Sequence, residues 1–110
     1  MASKDFVSVE PTRAEIDALL GLCVIEFGTG WCGHCLAAQP IIANAFAEYP
    51  SISHLKVEDG RGLPLGRSFR VTLWPTLVFL EDGKELTRVV RPRSAEQIKA
   101  AMQQLTGSTA

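Results

Sequence analysis

Residues 22–35 read LCVIEFGTGWCGHC, a stretch that predicts a buried strand joined to a helix through a glycine-containing loop. The run Leu22–Phe27 is almost continuously apolar, which is typical of a strand that is covered on both faces of its sheet. Gly28 and Gly30 then break the pattern. We therefore expect a strand that ends near residue 27, a short loop, and a helix that begins at the two cysteines.

Hydrophobic periodicity, capping boxes and turn residues predict the other elements on either side of this stretch. In chain order the predicted elements are a strand at Phe6–Val9, a helix from Thr12 to about Leu20, the strand Leu22–Phe27, a helix from about Gly33 to Glu48, a strand at His54–Glu58, a short helix at Leu63–Phe69, the hairpin strands Thr76–Leu80 and Glu85–Val90, and a last helix from Ser94. Pro40 predicts a kink in the second of these helices.

The buried faces of the two longest helices follow from spacings of three and four residues. The predicted buried residues are Ala37, Ala38, Ile41, Ile42, Ala45, Phe46 and Tyr49 in the helix after the cysteines, and Ile98, Ala101, Met102 and Leu105 in the last helix. The order β-α-β-α-β-α-β-β-α predicts an α/β fold with a central mixed sheet flanked by helices on both faces. We expect a single domain over residues 1–110, with residues 106–110 as a flexible tail.

The composition excludes some classes of function. The chain has 110 residues, 46% of them hydrophobic, and a formal net charge of -1. It lacks the basic excess of a nucleic-acid-binding protein, and the arginines at 88, 91 and 93 are interpreted as a solvated surface. No apolar run reaches membrane-spanning length and the first residues do not resemble a secretory signal. We expect a cytoplasmic monomer, although an exported protein whose signal had been removed would have the same sequence.

Cys32 and Cys35 are the residues that carry chemistry. A separation of three residues on the first turn of a helix places them on one face, within reach of a disulfide bond. Free N–H groups and the positive end of the helix dipole at that position favour a thiolate. Since the thiolate is the nucleophile, we expect Cys32 to attack substrates and Cys35 to resolve the mixed disulfide.

Trp31 and the two residues between the cysteines, Gly33 and His34, are expected to tune the pair. His34 can carry a positive charge beside the thiolate, which stabilises the reduced form and makes the disulfide a stronger oxidant. Gly33 keeps the loop small and lets a substrate backbone approach.

Thiol–disulfide exchange is one interpretation of the two cysteines, and there are three alternatives. A zinc site would need further ligands, and Cys23 and His54 are poor candidates because each lies within a strand. Haem attachment would need a histidine directly after the second cysteine, where Leu36 stands. Two buried, inert cysteines are the third alternative. Cys23 itself is interpreted as a small buried hydrophobic residue, and we expect no metal and no cofactor beyond the cysteine pair.

Taken in chain order, these features resemble the thioredoxin family. The resemblance rests on Trp31 with the cysteine pair, Pro40 in the following helix, the segment Trp74-Pro75-Thr76 before an apolar strand, and the turn Asp82-Gly83. It implies a thioredoxin-like fold with the cysteines at a helix N-terminus. It also implies a cis peptide bond before Pro75, facing the cysteines, and a backbone edge around Trp74 that can pair with an extended substrate strand.

The resemblance further implies that Glu26 is a buried carboxylate beneath the second cysteine. Such a group favours its neutral form and can pass a proton to or from Cys35. The family's usual lysine partner is replaced by His54, or supplied by Lys56. The alternative is that Glu26 reaches the end of its strand or pairs with a basic residue.

Departures from the family pattern, among them the bulk that Trp74 adds beside the substrate-facing surface, predict a narrower set of substrates than that of a general reductant. Gly-His stands between the cysteines, as in protein disulfide isomerases, so we expect a potential between about -270 mV for thioredoxin and about -180 mV for the isomerase. The loop before Trp31 lacks the family's second tryptophan. Arg91 replaces a glycine on the substrate-facing surface, where it would narrow or recharge the groove.

These features predict a thiol–disulfide oxidoreductase that acts on protein disulfides and is recycled by a reductase or an oxidase. Trp74, Pro75, Thr76 and Arg91 are the expected substrate-binding residues. The alternative is a redox-inactive or chaperone-like module that holds extended peptides in the Pro75 groove, and a metal carrier is a weaker third.

Overall fold

Strands and helices alternate in the predicted order in a computed structural model of the chain, which describes Phe6 and residues 10–106. The elements are α1 (Arg13–Asp17), β1 (Leu22–Gly28), α2 (Gly33–Phe46), β2 (Ser53–Glu58), α3 (Pro64–Ser68), β3 (Thr76–Glu81), β4 (Lys84–Val90) and α4 (Ala95–Thr106). The predicted strand at Phe6–Val9 lies outside the described residues except for Phe6, and so does the predicted tail except for Thr106, which is helical.

The four strands form one mixed sheet in the order β2-β1-β3-β4. β1 runs parallel to β2 and antiparallel to β3, and β3 pairs with β4 as an antiparallel hairpin. β1 is therefore central, with Glu26 paired in register with Lys56 on one side and Leu77 on the other. The predicted α/β fold with a mixed sheet is confirmed.

Helices cover both faces of this sheet. α2 and α4 pack on the face that carries Val24, and α1 and α3 pack on the face that carries Ile25 and Phe27. Since alternate residues of a strand point to opposite faces, Glu26 lies on the same side as Val24, beneath α2. The sequence therefore places a carboxylate under the helix that begins at the cysteines.

Capping boxes begin two of the helices, as predicted. The Thr12 hydroxyl accepts from the Glu15 N–H at 3.0 Å, and the Glu15 carboxylate accepts from the Thr12 N–H at 2.8 Å. Ser94 and Gln97 make the same reciprocal pair at the start of α4. No helix within the described residues is long and apolar enough to cross a membrane.

α1 is shorter than predicted, since it ends at Asp17 and not near Leu20. The Leu19 N–H bonds to the Ile16 carbonyl at 3.1 Å, only three residues back, which tightens the last turn. Gly21 then adopts a φ of 82° and turns the chain into β1.

α2 ends at Phe46, two residues before the predicted end. The Tyr49 N–H bonds to the Phe46 carbonyl at 2.9 Å, so the chain leaves the helix through a tight turn. Ala37, predicted to be buried, is exposed. The buried residues of α2 are Cys35, Ala38, Ile42, Ala45 and Phe46. Pro40 lies within the helix, and the kink expected there stays a prediction.

Candidate active site

The two cysteines lie at the N-terminus of α2. Cys32 is the N-cap residue, with an extended backbone at φ -77° and ψ 123°, and its Sγ accepts a hydrogen bond from the Cys35 N–H at 3.2 Å. A sulfur in this position faces the free N–H groups of the first turn and the positive end of the helix dipole. Both features stabilise negative charge on the sulfur, which is what a nucleophilic thiolate requires.

Burial separates the roles of the two thiols. The residue exposure is 8% for Cys32 and 0% for Cys35, so Cys32 is the sulfur nearer to solvent. The pKa of Cys35 is raised to about 12, chiefly by burial and next by the hydrogen bond with the Cys32 side chain, against a lowering by a backbone hydrogen bond from Thr29. Charges at Cys32 and Glu26 add smaller increases. Cys35 is therefore a thiol at neutral pH and needs a proton acceptor before it can attack.

Gly28 makes room for the Cys35 sulfur. A Cβ built on Gly28 would lie 2.6 Å from Cys35 Sγ and 3.0 Å from Cζ of Phe6. Any side chain at residue 28 would therefore displace the second sulfur or the Phe6 ring. The sequence pattern predicts only that Gly28 ends the strand, because Cys35 and Phe6 come close to it only in the folded chain.

Glu26 is fully buried beneath α2, and each of its two carboxylate oxygens has a hydrogen-bond partner. His54 Nε2 lies 2.8 Å from Glu26 Oε1, and Gln39 Nε2 donates to Glu26 Oε2 at 2.9 Å. Gln39 Nε2 also donates to the Cys35 carbonyl at 3.0 Å, and Lys56 Nζ donates to Gln39 Oε1 at 2.6 Å. Gln39 thus ties the carboxylate to the turn that carries the second cysteine.

These contacts decide which residues surround Glu26. The sequence left its partner open between His54 and Lys56, and His54 makes the direct contact. The His54 ring is stacked on Phe46 at a centroid distance of 4.1 Å, which fixes its orientation toward the carboxylate. Gln39 was not singled out, although its position four residues after Cys35 puts both on one face of α2.

Trp74 connects the proline loop to the cysteine motif. Its Nε1 donates to Asp59 Oδ2 at 2.9 Å, and its ring meets Trp31 edge-on at a centroid distance of 5.8 Å. The peptide bond between Trp74 and Pro75 is cis, and Pro75 is buried. Asp59, which sequence reasoning missed, is 8% exposed and holds the Trp74 ring against the motif. A second tryptophan therefore does lie at the site, supplied by the proline loop.

Arg91 and Thr76 hold the same loop. The Arg91 N–H donates to the Pro75 carbonyl at 2.9 Å, and Arg91 Nε donates to the Trp74 carbonyl at 2.8 Å. Thr76 is buried, and its hydroxyl donates to the Leu73 carbonyl at 2.6 Å. Thr76 was expected to bind substrate, but its side chain points inward and supports the loop.

Two grooves flank the motif. The larger, about 450 Å³, has His34, Leu73 and Arg91 among its lining residues. The smaller, about 290 Å³, reaches Cys35 from the other side between Gln39 and Lys56. The motif therefore lies between a groove beside the first helical turn and a cavity beside the resolving thiol.

The predicted tuning residues Trp31, Gly33 and His34 are all exposed. His34 and Gly33 are both exposed in the first turn of α2. A Cβ at Gly33 would meet nothing within 4 Å, so no contact within the described chain requires glycine there. Their effects on the potential and on substrate approach stay predictions.

Cys23 is separate from this site. It is buried in the core between the sheet and α1, and burial raises the pKa of its thiol to about 11. Within Phe6 and residues 10–106, no group of three or more histidine, cysteine, aspartate or glutamate side chains is placed to hold a metal ion. Its burial confirms the prediction that Cys23 is a small buried hydrophobic residue.

Comparison with known proteins shows that this chain is similar to thioredoxins. The model of the Thioredoxin family matches residues 7–104 of the chain. Thioredoxin H-type 1 from Nicotiana tabacum is 36% identical over 75 residues, which are 68% of this chain but only 60% of that protein. Thioredoxin from Chlamydia pneumoniae is 33% identical over 76 residues, 69% of this chain and 74% of that protein.

A solved structure extends the similarity over almost the whole chain. Thioredoxin 2 from Pseudomonas aeruginosa PAO1, in its reduced form, has 55% sequence identity and a TM-score of 0.87, covering 94% of this chain and 96% of that one. Thioredoxins use their own redox-active disulfide and need no further cofactor. Cys32 and Cys35 lie close together at the start of α2, and the chain belongs to the thioredoxin family of thiol–disulfide oxidoreductases.

Proposed function

We propose that this protein exchanges disulfides with protein substrates, with Cys32 as the nucleophile and Cys35 as the resolving thiol. The observation that carries the assignment of roles is the N-cap position of Cys32, whose sulfur accepts the Cys35 N–H while Cys35 itself is buried. A sulfur stabilised as an anion and nearer to solvent attacks first, and a buried thiol one turn later resolves.

The exchange conserves electrons and protons between the two pairs of sulfurs. The Cys32 thiolate attacks one sulfur of a substrate disulfide, forms a mixed disulfide and releases the other sulfur as a thiolate. Cys35 then loses its proton and attacks the Cys32 sulfur, so that the substrate leaves with two reduced sulfurs. Two electrons pass from the protein to the substrate, and the reverse sequence oxidises a substrate dithiol.

Glu26 is proposed as the acceptor of the Cys35 proton. Support comes from its burial beneath α2 and from Gln39, which bonds both the Glu26 carboxylate and the Cys35 carbonyl. The cavity of about 290 Å³ beside Cys35 is lined by both polar and apolar side chains, with Gln39, Lys56 and Glu58 among the polar ones, and it is large enough to admit water. It offers the proton a way to solvent after each cycle.

A recycling partner sets the net direction of the exchange. We propose that a reductase or an oxidase renews the pair, so that the protein carries electrons between that enzyme and its substrates. His34 beside Cys32 shifts the potential toward that of protein disulfide isomerase, about -180 mV, and away from about -270 mV for thioredoxin. Exchange in both directions is therefore the proposed capability.

The loop around Pro75 is the proposed substrate-binding surface. Its contact with Trp31 through Trp74 puts a backbone edge next to the cysteine motif, where an extended substrate strand can pair. The exposed side chains of Trp31, Leu36 and Leu73 surround the same area. Because a dimer formed through these side chains would block substrates, a monomer is the form we propose to be active.

A reducing compartment such as the cytoplasm is the proposed place of action. Once Cys32 and Cys35 form the redox pair, Cys23 is left as an unpaired thiol in the core. Proteins of oxidising compartments use their cysteines mostly in disulfides, so an unpaired thiol favours the reducing compartment. Cell fractionation tests this proposal.

Reduction of insulin by purified variants tests the assignment of roles. Cys32→Ser should abolish turnover, whereas Cys35→Ser should accumulate a mixed disulfide on Cys32, because attack persists without resolution. Cys23→Ala is the matched control and should retain turnover. A Cys32→Ser protein that still turns over, or a potential below about -300 mV as in structural disulfides, would overturn the proposal.

A further inference from the structure

The larger groove beside the motif carries cationic side chains. Its polar lining includes Arg91, Arg93 and His34, and its apolar lining includes Ala37, Ile41 and Leu73. None of the described residues that line it is an aspartate or a glutamate. The chain as a whole has a net charge of -1, so this positive surface is local to the groove.

Arg91 is oriented before any substrate binds. Its Nε–H donates to the Trp74 carbonyl at 2.8 Å and its backbone N–H donates to the Pro75 carbonyl, so the guanidinium is held against the proline loop. A guanidinium has five N–H donors in one plane. The Nε–H of Arg91 is one of these donors, and the Trp74 carbonyl accepts it. Within the described part of the chain, no acceptor bonds to the two terminal nitrogens. These nitrogens match the two oxygens of a carboxylate.

Arg93 adds a second charge at the same groove. Its backbone N–H bonds to Gln97 at the start of α4, which fixes the position of the residue, while its side chain is exposed. No carboxylate among the described residues pairs with it. Two arginines that lack an acidic partner can attract an anionic side chain with little competition from the protein itself.

The groove also borders the redox motif. His34 lines it from the first turn of α2, and Leu73 lines it from the residue before Trp74. A substrate whose disulfide lies at Cys32 and whose backbone follows the proline loop would therefore lay its neighbouring side chains against the two arginines. Extended chains advance about 3.3 Å per residue, so side chains within a few positions of the reactive cysteine fall in reach.

We propose that Arg91 and Arg93 select protein substrates that carry an aspartate or glutamate side chain within a few residues of the reactive cysteine. The proposal rests on the exchange function above and names its substrate class. Arg91 binds the carboxylate through its two terminal nitrogens while Nε stays on the Trp74 carbonyl. Arg93 adds long-range attraction that speeds encounter.

Three disulfide peptides, identical except for one residue near the reactive cysteine, test this selectivity. That residue is aspartate, asparagine or lysine, and kcat/KM is measured for each peptide with the whole protein. We expect the aspartate peptide to react about 10-fold faster than the asparagine peptide and the lysine peptide to react more slowly than either. The aspartate-to-asparagine ratio should shrink as salt screens the charges.

Variants of the two arginines then locate the selectivity. Arg91→Gln and Arg93→Gln should each lower the aspartate-to-asparagine ratio, Arg91→Lys should lower it partly, and Arg93→Glu should favour the lysine peptide. Arg67→Gln is the matched control: it removes the same charge from an exposed position on α3, on the opposite face of the sheet. Because each variant is compared with itself on two peptides, general losses of activity or folding cancel.

The outcomes separate the selectivity from the exchange function. Equal rates for the three peptides with the wild-type protein would overturn the selectivity and leave exchange intact. A ratio that falls equally in Arg67→Gln would also overturn it, because net charge alone would then explain the preference. Failure to reduce even the asparagine peptide would overturn the exchange function itself.

Discussion

Gly28 and Cys35 approach so closely that a Cβ on the glycine would lie 2.6 Å from the sulfur. Real Cβ atoms do not tolerate such a contact, so one of the two groups would have to move. The wall behind the resolving thiol is therefore bare backbone, and the position of that thiol depends on a residue without a side chain.

Gly28→Ala should slow exchange and destabilise the fold, because the new methyl group displaces the Cys35 sulfur or the Phe6 ring. Overpacking of this kind costs about 1–3 kcal/mol, measurable by urea unfolding. Gly30→Ala is the matched control, since a Cβ there meets nothing within 4 Å. Equal stability and equal insulin reduction in the two variants would contradict the steric role of residue 28.

Iodoacetamide at neutral pH should modify Cys32 and leave Cys35 unmodified in the folded, reduced protein. Burial holds the pKa of Cys35 at about 12, so its thiolate is scarce, and the sulfur is inaccessible as well. Mass spectrometry of peptides from the labelled protein identifies the modified residue. After denaturation all three cysteines should react, and early labelling of Cys35 in the native protein would contradict the assigned roles.

Glu26→Gln should slow the release of substrate from the mixed disulfide by on the order of 100-fold, as expected when a positioned proton acceptor is lost. The amide keeps the shape of the side chain but cannot take the Cys35 proton. Acid quenching and mass spectrometry follow the mixed disulfide over time. Labelling of Cys32 serves as the control and should change much less, whereas unchanged release would show that another group accepts the proton.

Stability at alkaline pH should depend on Cys23. Burial raises the pKa of its thiol from 9.0 to about 11, so the folded state holds this proton more tightly than the unfolded state. The resulting contribution is complete below pH 9.0 and is lost as the pH rises through about 11. The wild-type protein should therefore lose up to about 3 kcal/mol of unfolding free energy relative to Cys23→Ala across this range.

Urea unfolding of both proteins at several pH values measures this difference. Cys35 titrates in both, so its own contribution cancels in the comparison. A difference between the two proteins that does not vary with pH would contradict the buried, protonated state of Cys23.

Trp74→Phe should lower the free energy of unfolding by about 1–3 kcal/mol. The substitution removes the indole N–H that donates a hydrogen bond to Asp59, so a buried carboxylate loses that donor. Trp31→Phe is the control, since Trp31 is 73% exposed and should cost less. Thermal or urea unfolding measures both. A larger loss for Trp31→Phe would contradict the anchoring role of Asp59.

Local patterns predicted the elements but not all of their ends. The apolar run from Leu22, the capping box at Thr12 and the turn at Asp82 each act within a few residues, so the sequence alone reveals them. The ends of α1 and α2 were wrong by two or three residues. There the last turns tighten to bonds three residues back, which the spacing of apolar residues does not reveal.

The residues of the cysteine site also differ in whether the local sequence predicts them. Cys32 and Cys35 could be predicted because their spacing and their place at a helix start lie in one short segment. Gly28, Gln39 and Asp59 could not, since each acts on a residue that only the folded chain brings near. Sequence reasoning therefore found the reacting atoms but not all of the residues that position them.

The edge-on contact between Trp31 and Trp74 determines where the intrinsic fluorescence of the protein originates. These are the two tryptophans of the chain, and both lie at the redox site. Intrinsic fluorescence excited at wavelengths that tyrosine does not absorb therefore originates at the site alone. The protein carries its own optical reporter, so oxidation, mixed-disulfide formation and substrate docking can be followed without a label.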